Sequence, residues 1–233
     1  MTLTFITGAN RGIGYETARQ LTGLGHTVSI GARDPDRGKR AASELGARFV
    51  QIDVTNDTSV ENALKTIDGA EGHLDLLINN AGIVPATAFG PDALQVFNTN
   101  PVGVVRVTQA AIPLLRRSAN PVVVNVTSGQ GSFWAVANPE RIESHIATGV
   151  YAASKAAITM LTVQYAKAEH DAGAEPEIKF NAVDPGYTAT DLIAGYGGGR
   201  PVEESVGVIV RLATIGSDGP TGTVQEDIGE LPF

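Results

Sequence analysis

Apolar positions along this chain follow two alternating periods. Short apolar runs, continuous or alternating, read as strands at Leu3–Ile6, Thr27–Ile30, Ala47–Ile52, Leu74–Ile78, Val122–Val126, Lys179–Val183 and Gly222–Val224. Between them lie helical patterns: Tyr15–Leu24, with Ala18, Leu21 and Leu24 at helical spacing, then Gly38–Leu45, Ser59–Ile67, stretches within Pro91–Arg117, Tyr151–His170 and Val202–Ala213. Leu74–Ile78 and Val122–Val126 are apolar at nearly every position, as strands buried on both faces are. Strands separated by helices throughout imply right-handed βαβ crossovers and a parallel sheet covered on both sides. The pattern predicts a doubly wound parallel sheet, three-layer α/β/α, in a single domain spanning 1–233 without repeat or linker.

Composition narrows the possible functions. The chain is 42% hydrophobic and 18% charged, with 27 glycines, which is globular and rich in tight turns. A net charge of −8 argues against a nucleic-acid partner, which would need a basic face. No cysteine is present, so disulfides, thiolate nucleophiles and Cys-ligated metals are ruled out. His73, His145 and His170 lack metal-ligand spacing, and no metal is expected. No apolar run reaches the ~18 residues of a membrane span. Met1–Thr7 already reads as a strand leading into a glycine loop, leaving no room for a signal peptide, so a cytoplasmic protein is expected.

The segment Thr7-Gly8-Ala9-Asn10-Arg11-Gly12-Ile13-Gly14 joins the first strand to the first helix. Gly8 permits a sharp turn, Gly12 lets backbone approach a pyrophosphate, and Gly14 lets the helix sit close to the sheet. The N–H groups at the helix start favour an anion. The spacing, G-x-x-x-G-x-G, is a variant of the dinucleotide fingerprint of the Rossmann fold. At the end of the second strand, where a carboxylate would bind a ribose 2′-OH and repel a 2′-phosphate, the chain carries Ala32 and then Arg33. A guanidinium matches a phosphate, and Arg11 is positioned to approach the same group. These residues point to NADP(H), although Asp34 beside Arg33 would offset part of its charge. Asp53-Val54 follows the third strand, where a carboxylate can accept from an adenine amino group. Asn79-Asn80-Ala81-Gly82 follows the fourth, its small residues allowing close cofactor approach. In order, these segments trace the carboxyl edge of the sheet, where ligands bind.

The chemistry centres on Tyr151-Ala152-Ala153-Ser154-Lys155 at a helix start, where i, i+4 spacing puts Tyr151 and Lys155 on one face. A phenol with a reference pKa of about 10 is a poor base at neutral pH. A nearby ammonium would favour phenolate and make it a usable acid/base. Ser128, just past the strand Val122–Val126, is the candidate to hold a substrate oxygen. Thr127 adjoins it, but the strand alignment and Gly131 three residues on favour Ser128.

With these motifs in order, the chain resembles the short-chain dehydrogenase/reductase family in its single-domain form. The resemblance rests on the glycine loop, Asp53-Val54, Asn79–Gly82, Asn100-Pro101-Val102-Gly103, Ser128, Tyr151–Lys155 and Pro185-Gly186. It implies a catalytic set of Asn100, Ser128, Tyr151 and Lys155, with Tyr151 as acid/base and Asn100 holding a water in a proton relay. It also implies a cofactor held by Gly8, Asn10, Arg11, Gly12, Ile13, Gly14, Arg33, Asp53, Val54, Asn80, Ala81 and Gly82. Lys155 would bind the nicotinamide ribose beside Tyr151, and Pro185, Gly186, Thr188 and Thr190 the nicotinamide end. The pattern is most similar to carbonyl reductases, implying NADPH-driven reduction of a ketone or aldehyde and a small-molecule carbonyl or alcohol as partner.

Two segments depart from the family pattern. The interval between Ser128 and Tyr151 is longer than in the short form of the family, giving an insert at about 132–149 that contains Trp134, Pro139 and His145. An insert there would cover the surface that shorter members use to form tetramers, favouring a monomer or small homo-oligomer. At about 190–201 the chain reads Gly195-Tyr196-Gly197-Gly198-Gly199, a short lid that would leave the substrate side open. Two other readings compete. An NADP-sensing regulatory protein would typically lack Tyr or Lys, whereas both are present. An NAD-dependent alcohol dehydrogenase is opposed by Ala32-Arg33.

Overall fold

The structure is a computed structural model that describes residues 1–190 and 198–233. The expected lid falls largely outside the described residues. Its flanks are joined by a bridge between Thr188 and Arg200.

Each predicted strand forms: β1 (Leu3–Thr7), β2 (Thr27–Ala32), β3 (Arg48–Gln51), β4 (Leu76–Asn79), β5 (Val122–Val126), β6 (Lys179–Val183) and β7 (Val224–Glu226). They lie parallel in the order β3-β2-β1-β4-β5-β6-β7. A two-residue strand, β8 (Gly229–Glu230), adds antiparallel to β7. It escaped the sequence reading because two residues carry no periodicity, and it makes the sheet mixed at that edge.

Strand side chains alternate between two apolar layers. On one face Ile6, Ile30, Ile78 and Val124 pack against α1 (Gly12–Gly23), α2 (Pro35–Leu45) and residues 206–213. On the other, Phe5, Leu77, Val123 and Phe180 pack against α3 (Asp57–Glu71) and against residues 107–115 and 166. The three-layer, doubly wound α/β fold is therefore as the pattern implied.

Two helical stretches divide. Pro91–Arg117 becomes α4 (Ala93–Thr99) and α5 (Pro101–Leu115), separated at Asn100, whose ψ of −81° departs from helical geometry. Pro101 follows it and has no N–H to continue the ladder. Val202–Ala213 becomes α8 (Val202–Ser205) and α9 (Gly207–Ala213), which meet at Val206. The segment 132–149 holds a short helix, α6 (Phe133–Ala137), that the apolar pattern did not indicate, capped when Ser132 Oγ accepts from Ala135 N–H. Its bonds run to the β7–β8 edge: Arg141 to Glu226, Ser132 to the Pro232 carbonyl, and Trp134 N–H to the Phe233 carbonyl. Then α7 (Val150–Ala172) starts from Gly149, whose φ of +32° suits glycine.

Candidate active site

A cleft of about 1070 Å³ opens along the carboxyl ends of the strands and spans the switch point between β1 and β4. Its lining includes the glycine loop, Arg33, Asp53, Val54, Asn80–Gly82, Ser128, Tyr151, Lys155, Pro185, Gly186, Thr188 and Thr190. Every residue expected at the site from the sequence lines it except Asn100, which is wholly buried.

At one end, Gly8 and Gly12 hold left-handed backbone, φ +65° and +56°. A Cβ on Gly8 would sit 2.9 Å from Ala81 Cα, so β1 and β4 can close this turn only over a glycine. Asn80 ties the loop down: its Nδ2 donates to the carbonyls of Thr7 and Gly8 at 2.9 and 3.1 Å. Thr7 Oγ1 answers by accepting from the N–H groups of Asn80 and Ala81. A side chain on Gly14 would strike that Asn80 amide. Helices α2 and α3 are capped by Asp34 and Asn56, whereas no side chain caps α1. The first N–H groups of α1 are thus left for an anion. The loop fits a dinucleotide's phosphates on this geometry.

Arg33 is exposed at the end of β2 and borders both the cleft and an adjoining groove of about 460 Å³, which it shares with Gln51, Asp53 and Asn56. Asp34, beside it, caps α2. Its Oδ1 accepts from Asp36 and Arg37 N–H, both at 3.0 Å, and its carboxylate pairs with the Arg37 guanidinium. Asp53 accepts from Thr55 N–H and Oγ1 at 3.0 and 2.7 Å. Burial works against its ionisation, but those bonds and the charges of Arg33 and Arg106 hold its carboxyl below the usual range.

At the other end, Ser128 caps a single 3-10 turn, Gly129–Gly131. A Cβ on Gly131 would lie 2.7 Å from the Lys155 carbonyl carbon, so a glycine lets this turn pack directly on α7. Ser128 and Tyr151 line the cleft together, and the Ser128 hydroxyl is near enough to favour the ionised phenol. Thr127 is committed elsewhere, donating to the Lys155 carbonyl at 3.0 Å and lying 3.2 Å from Thr159 Oγ1. Lys155 Nζ donates to the Val126 carbonyl at 2.8 Å and sits 5.5 Å from the Tyr151 ring centre. Burial pushes Lys155 down to about 8, with the nearby Asp184 carboxylate pulling it back up. Tyr151 lines the cleft yet is pushed above its usual value, first by desolvation and then by Asp184, while Ser128 acts the other way. The Lys155 ammonium is turned toward Val126.

Asn100 acts as a clamp. Its Oδ1 accepts from Ile83 N–H at 2.9 Å; its Nδ2 donates to the Ile83 carbonyl and to Ser154 Oγ, both at 3.0 Å. Ser154 Oγ in turn donates to the Tyr151 carbonyl at 2.7 Å. One amide thereby joins the α4–α5 break, the segment after β4 and the first turn of α7.

Sequence reasoning missed a set of charges next to this site. Asp184, at the end of β6, is buried, and its Oδ1 accepts from Gly186 N–H at 2.9 Å. Burial pushes its carboxyl up, and Glu143 and Glu226 push it further. Arg141 forks onto Glu226 at 3.0 and 2.8 Å and reaches Glu143 at 3.1 and 3.2 Å. A charged residue ending a buried strand was the available signal for Asp184. Glu143 and Arg141 lie where the chain departs from the family pattern. Among the described residues no cluster of His, Asp or Glu could hold a metal ion, and no helix is long and apolar enough to cross a membrane.

Comparison with known proteins agrees with this architecture. The family model for short chain dehydrogenases matches residues 2–197. Short-chain dehydrogenase/reductase ATR10 of Stachybotrys chlorohalonatus is 32% identical, the alignment covering 96% of this chain and 87% of the relative. Among solved structures, salutaridine reductase from Papaver somniferum superposes with a TM-score of 0.82 at 27% identity, covering 97% of this chain and 100% of that one. A gluconate 5-dehydrogenase from Burkholderia cenocepacia, in complex with NADP and tartrate, gives 0.80 at 27% identity, covering 97% and 92%. This chain belongs to the short-chain dehydrogenase/reductase family. It is an oxidoreductase of that family, whose members use nicotinamide cofactors.

Proposed function

We propose that the protein reduces a ketone or aldehyde with NADPH, and that Tyr151 supplies the proton. The observation that carries this reading is that Tyr151 and Ser128 line one end of a cleft together, above buried Lys155, while the glycine loop lines its other end. Arg33 and Arg11 stand where a 2′-phosphate would lie, with no carboxylate at Ala32 to repel it.

In this reading Gly8, Asn10, Gly12, Ile13 and Gly14 cradle the pyrophosphate, and Asp53 and Val54 hold the adenine. Asn80, Ala81 and Gly82 keep the floor of the cleft low. Pro185, Gly186, Thr188 and Thr190 flank the nicotinamide end. Bound NADPH supplies the hydride. Ser128 Oγ donates to the substrate carbonyl oxygen and steadies the charge that develops there. Tyr151, a protonated phenol in its desolvated wall, gives its proton to that oxygen. Lys155 is close enough to support the phenolate left behind and to reach the ribose. Asn100 keeps α7 and Ile83 in register, so that Tyr151 and Ser128 meet.

Tyr151→Phe tests this assignment. Turnover of ketones should fall by at least about a hundredfold, the typical contribution of a positioned acid, while NADPH still binds by fluorescence titration. Full activity in that variant would refute the role of Tyr151.

A further inference from the structure

The charges lining the cleft are sorted along its length. Its cations among the described residues are Arg11 and Arg33 at the glycine-loop end and Lys155 beneath Tyr151, whose Nζ donates to the Val126 carbonyl. Beyond Ser128 and Tyr151 the wall is Val84, Ile142, Ile146 and Tyr187, interrupted by Glu143 and Asp184. The polar neutral groups there are already paired: Thr148 Oγ1 donates to Gln130 Oε1 at 2.8 Å, and Gln130 Nε2 to the Glu143 carbonyl at 3.1 Å.

Glu143 and Asp184 are neighbours across Gly129. A side chain on Gly129 would meet Asp184 Oδ2 at 2.9 Å and Glu143 Oε1 closer still. Arg141 is the cation that answers Glu143, and it is shared with Glu226, so one guanidinium serves two carboxylates, while Asp184 lies within reach of the Lys155 charge. Arg200, which donates to the Pro185 carbonyl behind Gly186, is paired with Asp227. With Glu143 and Glu226 on one guanidinium and Asp184 set against Lys155, the described residues of the substrate end carry a negative surplus between apolar side chains, where charge is weakly screened.

Building on the reductase reading, the structure assigns to this site neutral, apolar carbonyl substrates, with Glu143 and Asp184 as the residues that turn anionic ones away. A carboxylate on the substrate would be brought within several ångströms of the surplus, and Coulomb repulsion at an effective dielectric of about 20 makes that at least about a tenfold disadvantage.

The test uses two ketones of nearly the same shape, 4-acetylbenzamide and 4-acetylbenzoate, reduced with NADPH at pH 7. The amide should have the higher kcat/KM by at least about tenfold. In Glu143→Gln, and separately in Asp184→Asn, the ratio should fall severalfold toward parity, mainly through recovery of the acid. Two variants are used so that a folding failure in one leaves the other to decide. A wild-type ratio at or below one, or a ratio unchanged in both variants, overturns the inference while leaving the reductase reading intact. Absence of Tyr151-dependent reduction of either ketone, with NADPH bound, would instead overturn that reading and this inference with it.

Discussion

Asn100→Ala removes the clamp at the α4–α5 break. Three groups lose a partner: Ile83 N–H, the Ile83 carbonyl and Ser154 Oγ. Asn100 itself is 0% exposed, so no water reaches the space its amide leaves without entering the core. Ser154 keeps its bond to the Tyr151 carbonyl, and Ile83 borders the cleft, where solvent can restore part of what is lost. An unpaired buried polar group costs about 1–3 kcal/mol. Discounted for Ile83, the loss comes to about 2–4 kcal/mol on that scale. For a chain of this length, each kcal/mol lowers Tm by about 2–4 °C. The expected drop is therefore about 5–15 °C by thermal circular dichroism. Turnover at a permissive temperature should fall as well, because the first turn of α7, and Tyr151 with it, is no longer held. A variant that melts within about 2 °C of wild type would refute the clamp. If such a variant had also lost turnover, the side chain would belong to the proton relay alone.

Other variants test the remaining parts. Arg33→Asp removes a charge-assisted contact worth about 1.5–3 kcal/mol and adds a repulsive carboxylate, so kcat/KM for NADPH should drop at least about tenfold while NADH changes little. An unchanged NADPH/NADH ratio would take Arg33 out of cofactor selection. NADPH binding should weaken as pH rises through about 8, where Lys155 loses its proton. In Asp184→Asn that transition should move to lower pH, since the Asp184 charge is what raises the lysine against burial; a shift upward, or none, counts against the arrangement. Arg141→Ala strips the shared cation from Glu143 and Glu226, and breaking a buried pair of this kind costs about 3–5 kcal/mol. Urea unfolding should show that loss at pH 7 and a smaller one at acid pH, where the carboxylates take up protons; equal losses at both would remove the charge argument.

Most of the framework was legible in the amino-acid order because its causes are local. Strand and helix periods follow from which side chains must face a core, and Leu74–Ile78 or Val122–Val126 can be read without any partner in view. Gly8 and Gly12 announce backbone that other residues rarely adopt, and the order of motifs after successive strands places them on one edge of the sheet. Tyr151 and Lys155 share a helix face by spacing alone. The pattern therefore sufficed for the fold, for the course of the cleft and for the side chains to expect along it.

What depended on contacts between distant segments was decided only in three dimensions. Spacing could not say that Lys155 turns to the Val126 carbonyl, or that burial and Asp184 push the Tyr151 phenol up. Nor could it show that Asp34 caps α2 and pairs with Arg37. The Asn100 clamp joins segments far apart in the chain, and Asp184, Glu143, Arg141 and Glu226 meet from three of them. Hydrogen bonds and Coulomb forces act over a few ångströms of space. The sequence by itself thus determined the scaffold and the chemistry it could carry, and tertiary packing decided which hydrogen bonds and charges surround the candidate site.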